Sequence, residues 1–351
     1  MKKALTIIVA AALALSLLSG CGSSSGTQSP DTGANKTAPA ATQFKGKNLV
    51  TDSIRIAYVG TTMAGQLHLL CEQAMEQWKR SYPNLELVFF DPALNLTTQI
   101  TMIGEAVTQG FDAIMLEALD MSAVTTAVNE AEDAGIPVIT IAADTNALHT
   151  LHLQLSAYGM GQIAAKAFVD ALGGVGNIVL FDYPYEVLES APFGPGFTDY
   201  LADYPEMNLI EHLHLDATTF SQEGNFTMAS DVLTKHDKVD AFYVPGDDLA
   251  MGIVQAIAAA GRGDEGILVW GSECMPIGID AIREGTLYGT CFPDRYTMFY
   301  TAFAYALHFI QSGMNTRSLG LTETPVITIN AQAVTAENID RIAPLTRWEG
   351  Y

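Results

Sequence analysis

The residues of this chain with the most chemistry to offer are carboxylates that follow short apolar runs. Asp240–Gly261 reads DAFYVPGDDLAMGIVQAIAAAG. Ala241–Val244 has the length and the aromatic, β-branched character of a buried strand. Pro245-Gly246 breaks the run, and Asp247 and Asp248 follow. Leu249, Ile253, Ile257 and Ala260 then recur at spacings of three and four, the period of an amphipathic helix that Gly261 closes. An acid so placed stands at the carboxyl end of a strand, where open α/β sheets bind ligands. It also stands at a helix N-terminus, whose dipole favours negative charge. A carboxylate there accepts hydroxyl and amine donors. The plainer role open to either acid is that of an N-cap.

The other constellations offer less. His149 and His152 lie close in sequence, as do His212 and His214, but no Cys neighbours them. A zinc site needs converging ligands, so these read as surface or core histidines and no metal is expected. Gly173-Gly174-Val175-Gly176 lacks a following Lys-Ser/Thr and precedes a strand, which makes it a turn and not a phosphate loop. Glu186 and Glu189 have no second acid positioned against them for glycoside cleavage and read as a solvated edge. No Gly-x-Ser-x-Gly elbow occurs. The chemistry on offer is binding and not catalysis, with no cofactor expected.

The elements that must position these acids begin after a long leader. Lys2 and Lys3 precede an apolar stretch, Ala4 to Leu18, shorter than the roughly 20 residues of a membrane span. Small residues follow, and residues 1–20 read as a secretory signal peptide. Leu18-Ser19-Gly20-Cys21 resembles a bacterial lipobox, which implies lipidation of Cys21. Residues 21–53 are rich in Gly, Ser, Thr, Ala and Pro and read as a flexible tether. Gly22 to Asn48 reaches roughly 90 Å fully extended and about 30 Å as a coil.

The formal charge of -22 excludes a nucleic-acid role, which needs a basic surface. Of four cysteines, Cys71, Cys274 and Cys291 remain beyond Cys21. An odd number cannot all pair internally. Cys274 and Cys291 can bridge if their Cα atoms lie within about 7 Å; otherwise all three are buried thiols.

The folded body reads as two α/β series. Strands at Ile54–Gly60, Leu85–Phe90, Ala113–Leu116 and Ile136–Ala142 alternate with helices at about Gly65–Ser81, Thr97–Gln109 (capped by Thr97 or Thr98) and from Ser122. After a short strand at Leu151–Leu155, a second series runs from a helix at Ala157–Leu172 to a strand at Leu287–Phe292. A long helix, Arg295–Gln311, and a final strand, Pro325–Ile329, close it. Apolar strands alternating with helices predict parallel sheets covered on both faces. Two such series predict two Rossmann-like lobes with a ligand cleft between their sheet ends.

The order and spacing of several phrases across residues 54–340 resemble the type I periplasmic binding proteins, in particular the ribose-binding-like receptors of sugar ABC importers. The phrases are GFDAIMLEALD, DAGIPVITIAAD, FDY after GGVGNIVL, Gly196-Phe197, GDDLAMG, WGSE, AIREGTLYGT and TAENID. The resemblance implies three crossings between lobes, placed near Leu153–Ser156, Glu273–Met275 and Phe292–Arg295. It divides the chain into a first lobe of 54–153 plus 293–322 and a second of 154–292 plus 323–351.

It also implies a site. Asp144 matches the family's acid after strand four, and Asp247 matches the acid of its Asn-Asp pair, with Gly246 in place of the Asn. Glu273 stands where Asp is usual, Phe193 where many members have Arg, and Pro293 where many have Gln. Thr61-Thr62-Met63-Ala64-Gly65-Gln66 replaces the usual Asn-Pro-Phe-Phe. The expected ligand set is Asp144, Asp247, Glu273, Phe193, Tyr183, Trp270, Thr62 and Glu117, with Asp182 nearby; packing is the alternative role for Trp270 and Tyr183. Carboxylates accept hydroxyl donors and aromatic faces stack on apolar C–H faces or cations. With no cluster of Arg or Lys at the predicted strand ends, an anionic ligand is disfavoured. Polyols, deoxy or amino sugars, nucleosides and cations fit.

The function so implied is that of a monomeric, lipid-anchored extracytoplasmic receptor. It delivers a neutral or cationic sugar-like ligand to the permease subunits of an ABC importer by hinge closure, and is not an enzyme. The same fold serves a second possibility, a receptor for a membrane sensor.

Overall fold

The computed structural model describes residues 45–63, 67–183 and 192–348. The signal peptide, Cys21, most of the tether, Ala64–Gln66, Glu186 and Glu189 lie outside the described residues. Among the described residues no helix is long and apolar enough to cross a membrane.

The first series runs β1 (Ile54–Val59), α1 (Leu67–Lys79), β2 (Leu85–Phe90), α2 (Leu96–Thr108), β3 (Ala113–Leu116), α3 (Thr125–Asp133), β4 (Val138–Ile141) and β5 (Leu151–Leu155). The second runs α4 (Ala157–Leu172), β6 (Gly176–Asp182), α5 (Phe193–Leu201), β7 (Met207–His214), α6 (Gln222–Lys235), β8 (Ala241–Tyr243), α7 (Asp247–Ala259), β9 (Leu268–Trp270), α8 (Pro276–Glu284) and β10 (Gly289–Phe292). The chain closes with α9 (Arg295–Ser312), α10 (Thr316–Leu319), β11 (Val326–Ile329), β12 (Gln332–Thr335) and α11 (Ile339–Thr346).

These strands form two six-stranded sheets, ordered β11-β5-β4-β3-β1-β2 and β12-β10-β9-β8-β6-β7. Every pairing is parallel except β10 with β12. Parallel strands covered on both faces have no polar side, and β3 (AIML) and β4 (VITI) accordingly bury all four residues each. One face of the first sheet packs on α1 and α9 through Leu70, Met75, Phe299 and Phe303; the other packs on α2 and α3 through Ile103 and Val128. The second sheet is covered by α4 and α5 on one face and α6 to α8 on the other.

Two expectations change. The strand ending at Ile329 belongs to the first sheet, because β11 lies parallel to β5 with Val326 opposite His152 and Ile329 opposite Leu155. Residues 323–351 therefore do not all follow the second lobe. Glu273–Met275 is no crossing either, since β9, α8 and β10 all build the second lobe. The chain changes sheets after β5, after β10 and after β11. The short run VITI cannot say which sheet it joins; only the pairing with β5 does.

Local chemistry moves some ends. The N-cap of α2 is Asn95, whose Oδ1 accepts from Thr98 N at 2.9 Å, and not Thr97 or Thr98. Ala93 and Leu94 take left-handed backbone angles (φ 50° and 60°) just before it, turning the chain into the helix early. Buried Glu132 of α3 ties three segments together: Oε1 accepts from Val138 N (2.9 Å), Thr150 N (2.8 Å) and Thr150 Oγ1 (2.7 Å), and Oε2 from Thr316 N (3.2 Å). Cys71, Cys274 and Cys291 are free and buried, so the 274–291 bridge does not form.

Candidate functional site

A cleft of about 450 Å³ opens at the carboxyl ends of strands from both sheets. From the first sheet it is lined by Ala142 and Asp144 beyond β4, by His152, Gln154 and Leu155 of β5, and by Val326 of β11. Opposite stand Ala157 and Met160 of α4, Tyr183 beyond β6, Phe193 at the start of α5, and Glu273 in the loop after β9. Arg295, the first residue of α9, completes the wall with Met121.

Asp144 is the polar centre of the first wall. Its Oδ1 accepts from Thr145 N (2.7 Å) and Thr140 Oγ1 (2.9 Å), and its side chain is 28% exposed, open to the cleft. His149 Nε2 lies 3.3 Å and His152 Nδ1 3.6 Å from the same oxygen. Burial pushes both imidazoles below their ordinary pKa, and the Asp144 charge opposes it. His149 and His152 are core histidines and His212 and His214 lie at or near the surface, within the sequence reading; each pair also meets an acid, Asp144 and Asp182 respectively. The strand alternation of LHLQL already put His152 and Gln154 on one face.

The opposite wall is aromatic. The rings of Tyr183 and Phe193 sit 5.1 Å apart, tilted by 39°. Burial pushes the Tyr183 phenol well up, with Glu273 adding to the rise, so it stays a neutral donor. Asp182 beneath them is buried, with its carboxylate held by Tyr183 N (2.8 Å) and His212 Nε2 (3.0 Å).

Glu273 pairs with Arg295, whose Nε and Nη2 approach Oε2 at 3.1 and 2.5 Å. Burial works against the Arg295 charge, but the charge and hydrogen bond of Glu273, helped by Glu117 and Tyr183, raise its pKa. The guanidinium sequence reasoning found missing is therefore present, from a different position, and the cleft is less hostile to anions than expected. Its signal was the Arg two residues beyond Pro293 in the segment joining β10 to α9. Strain concentrates here. Ala142, Glu273, Cys274 and Asp294 have φ of 61°, 91°, 51° and 32°, a region L-residues rarely adopt and one that clusters at ligand clamps.

The remaining expected residues fall outside the cleft. Asp247 is fully buried; Oδ1 accepts from Thr290 Oγ1 at 2.5 Å and Oδ2 from Met275 N at 2.7 Å. Burial pushes its carboxyl well up, against those two hydrogen bonds. It makes no side-chain cap to α7, whose N-cap is Gly246. Neither expected role holds: Asp247 braces the loop that presents Glu273. Gly271 and Gly278 pack so tightly on its carboxylate that neither has room for a Cβ. Trp270 is fully buried between Phe168 (6.5 Å) and Tyr288 (6.0 Å), the packing alternative. Glu117 sits behind the first wall, accepting from Tyr58 Oη (3.4 Å) and Thr61 Oγ1 (3.5 Å). Burial raises its carboxyl, while Arg295 and these hydroxyls lower it. Thr62, partly buried in the loop after β1, does not line the cleft.

Comparison with known proteins agrees with this architecture. The xylitol-binding protein of Mycolicibacterium smegmatis is 27% identical over 212 residues, 59% of this chain but only 58% of that protein. The D-apiose import binding protein of Paraburkholderia graminis is 26% identical over 263 residues, 74% of this chain and 80% of that one. A periplasmic ribose ABC transporter structure from Conexibacter woesei superposes with a TM-score of 0.74 at 19% identity, covering 84% of this chain and 96% of that one. An ABC transporter solute binding protein from Bacillus halodurans with bound myo-inositol gives 0.68 at 20%, covering 84% of this chain and all of that one. Residues 56–313 match the periplasmic binding protein domain, and the chain belongs to that family.

Proposed function

We propose that this chain is the extracytoplasmic solute receptor of an ABC importer and that it captures a sugar or sugar-like polyhydroxy ligand by closing two lobes over it. One observation carries the reading: hydrogen-bonding groups on one wall of the cleft, Asp144, His152 and Gln154, face the rings of Tyr183 and Phe193 on the other. A polyol meets both demands, since its hydroxyls donate to carboxylate and its C–H faces cover aromatic carbon. The Glu273–Arg295 pair adds an acceptor and a donor at the floor. The lobes that close are residues 54–155 with 295–329, and 157–292 with 332–348. A ligand touching both binds the closed state better than the open one and shifts the population toward it. The permease subunits then meet the closed surface of a single receptor, which performs no chemistry on its cargo. Cys21 carries the lipid that keeps the receptor at the membrane.

The test is a thermal-shift and calorimetric screen of residues 45–351 against pentoses, hexoses, polyols, amino sugars, nucleosides and metal ions. A ligand at 100 times its dissociation constant adds about 2.7 kcal/mol of stability. A sugar or polyol hit that Asp144→Ala abolishes supports the reading. Hits confined to nucleosides or metal ions, or no hit at all, sink it.

A further inference from the structure

Beneath the cleft wall, three polar atoms meet around the hydroxyl of Thr140. Thr140 Oγ1 lies 2.9 Å from Asp144 Oδ1, 2.8 Å from His149 Nε2 and 2.8 Å from His152 Nδ1. Thr140 and His149 are fully buried and His152 nearly so. On its far side His149 Nδ1 lies 2.8 Å from the carbonyl of Ala147, which only accepts, so this nitrogen carries a proton. Thr324 Oγ1 stands 3.3 Å from the same nitrogen.

The protons can then be counted. A neutral His149 protonated at Nδ1 presents a bare lone pair at Nε2, and an ionised Asp144 presents only lone pairs at Oδ1. Thr140 has one proton and can serve one of them. His152, if protonated at Nδ1, spends that proton on a Thr140 lone pair. One contact at hydrogen-bond distance is left with no proton in it. A proton on His149 Nε2 completes the set: His149 and His152 donate to Thr140, and Thr140 donates to Asp144.

We infer that the Asp144–Thr140–His149 cluster takes up one exchangeable proton, that this proton holds Asp144 in its ligand-accepting pose, and that ligand capture is therefore linked to proton uptake. The binding half of this rests on the proposed role of Asp144; the protonation half does not. Thr140 and His149 are positioning residues, since neither lines the cleft. The proton sits on the imidazole, Asp144 stays anionic, and the cluster is neutral overall. Without it, two lone pairs face each other and Asp144 is released from Thr140. Among the described residues, the other ionisable groups facing the cluster are few. Tyr183, Glu273 and Arg295 stand across the same cleft, and Glu132 of α3 bonds Thr150 between the two histidines. Burial opposes the added charge, while the Ala147 carbonyl and the Asp144 carboxylate favour it.

Histidine nitrogen NMR of the ligand-free protein decides the protonation. His149, assigned by the loss of its signals in His149→Gln, is expected with both ring nitrogens protonated at pH 5 and a bare Nε2 at pH 8.5. Asp144→Asn should move that change to lower pH. A His149 that keeps one ring protonation state from pH 5 to 8.5 overturns the inference, as does a metal-bound nitrogen.

Binding of xylitol and myo-inositol, measured from pH 5 to 8, tests the linkage. Affinity is expected to fall as pH rises through the midpoint, by up to tenfold per unit. Heats at pH 7.5 should vary with buffer ionisation enthalpy by one proton taken up. Thr140→Val, which keeps the side-chain shape, should flatten both. A bound ligand with a flat wild-type profile overturns the linkage. If neither probe binds, the proposed ligand class fails while the spectra still decide the proton.

Discussion

At the scale of residues, the cleft is built from side chains that other side chains hold. Asp247 has the position of a ligand acid and the burial of a core residue. Its raised pKa means that the folded state binds a proton more tightly than the unfolded one. The associated stability is therefore present below the ordinary carboxyl range and lost as pH rises toward the folded pKa. Asp247→Asn can accept from Met275 N and donate to Thr290 Oγ1, so it should abolish this pH dependence, read as chemical denaturation from pH 5 to 8, and leave the fold intact. Asp247→Ala leaves the Met275 and Thr290 donors without partners and should cost about 2–4 kcal/mol. Glu273 gives the opposite trade. Its φ of 91° is one that glycine adopts freely. Glu273→Gly should raise stability by about 1 kcal/mol in a melt while weakening ligand binding, because the partner of Arg295 is gone. A variant that loses both stability and binding would show that the ion pair outweighs the strain.

At the scale of elements, Glu132 joins α3, the start of β4, the start of β5 and α10 through hydrogen bonds from Val138, Thr150 and Thr316. Glu132→Ala leaves Val138 N open, Thr150 N with only the Val138 carbonyl and Thr316 N with only Thr150 Oγ1, and should destabilise by about 2 kcal/mol, measured by urea unfolding. Were the loss below about 1 kcal/mol, water must enter and replace the carboxylate. The elements themselves were mostly legible in the sequence, because a parallel strand buried on both faces is written as an unbroken apolar run. AIML and VITI carry their own identity. What such runs do not carry is pairing, so the strand at 326–329 was seen and its sheet was not. Spacing likewise placed Asp144 and Asp247 alike at strand ends. It cannot tell an acid that opens to the cleft from one that turns under the loop after β9, because that depends on two neighbouring glycines and on Thr290. Arg295 was hidden because no pattern of its own marks the start of a long helix as a wall of the cleft.

At the scale of the whole molecule, the two sheets meet around one cleft, and closure over a ligand should make the protein more compact. Small-angle scattering with and without a saturating sugar should show a fall in radius of gyration; an unchanged value in the presence of proven binding would exclude hinge closure. In cells, Cys21→Ser should release the receptor from the membrane fraction, and retention of that variant would assign anchoring to something else.

Neither sheet is made from a continuous stretch of chain. The first needs α9 and β11, which follow the entire second series, and the second needs β12, which follows both. During synthesis, then, the apolar face that Phe299 and Phe303 cover stays open until the ribosome has passed them, and both sheets lack an edge until residues 326–335 have emerged. A chain delivered through an export channel from its N-terminus would cross the membrane with neither lobe finished. The order of the strands delays completion of both lobes until the last residues of the chain are made.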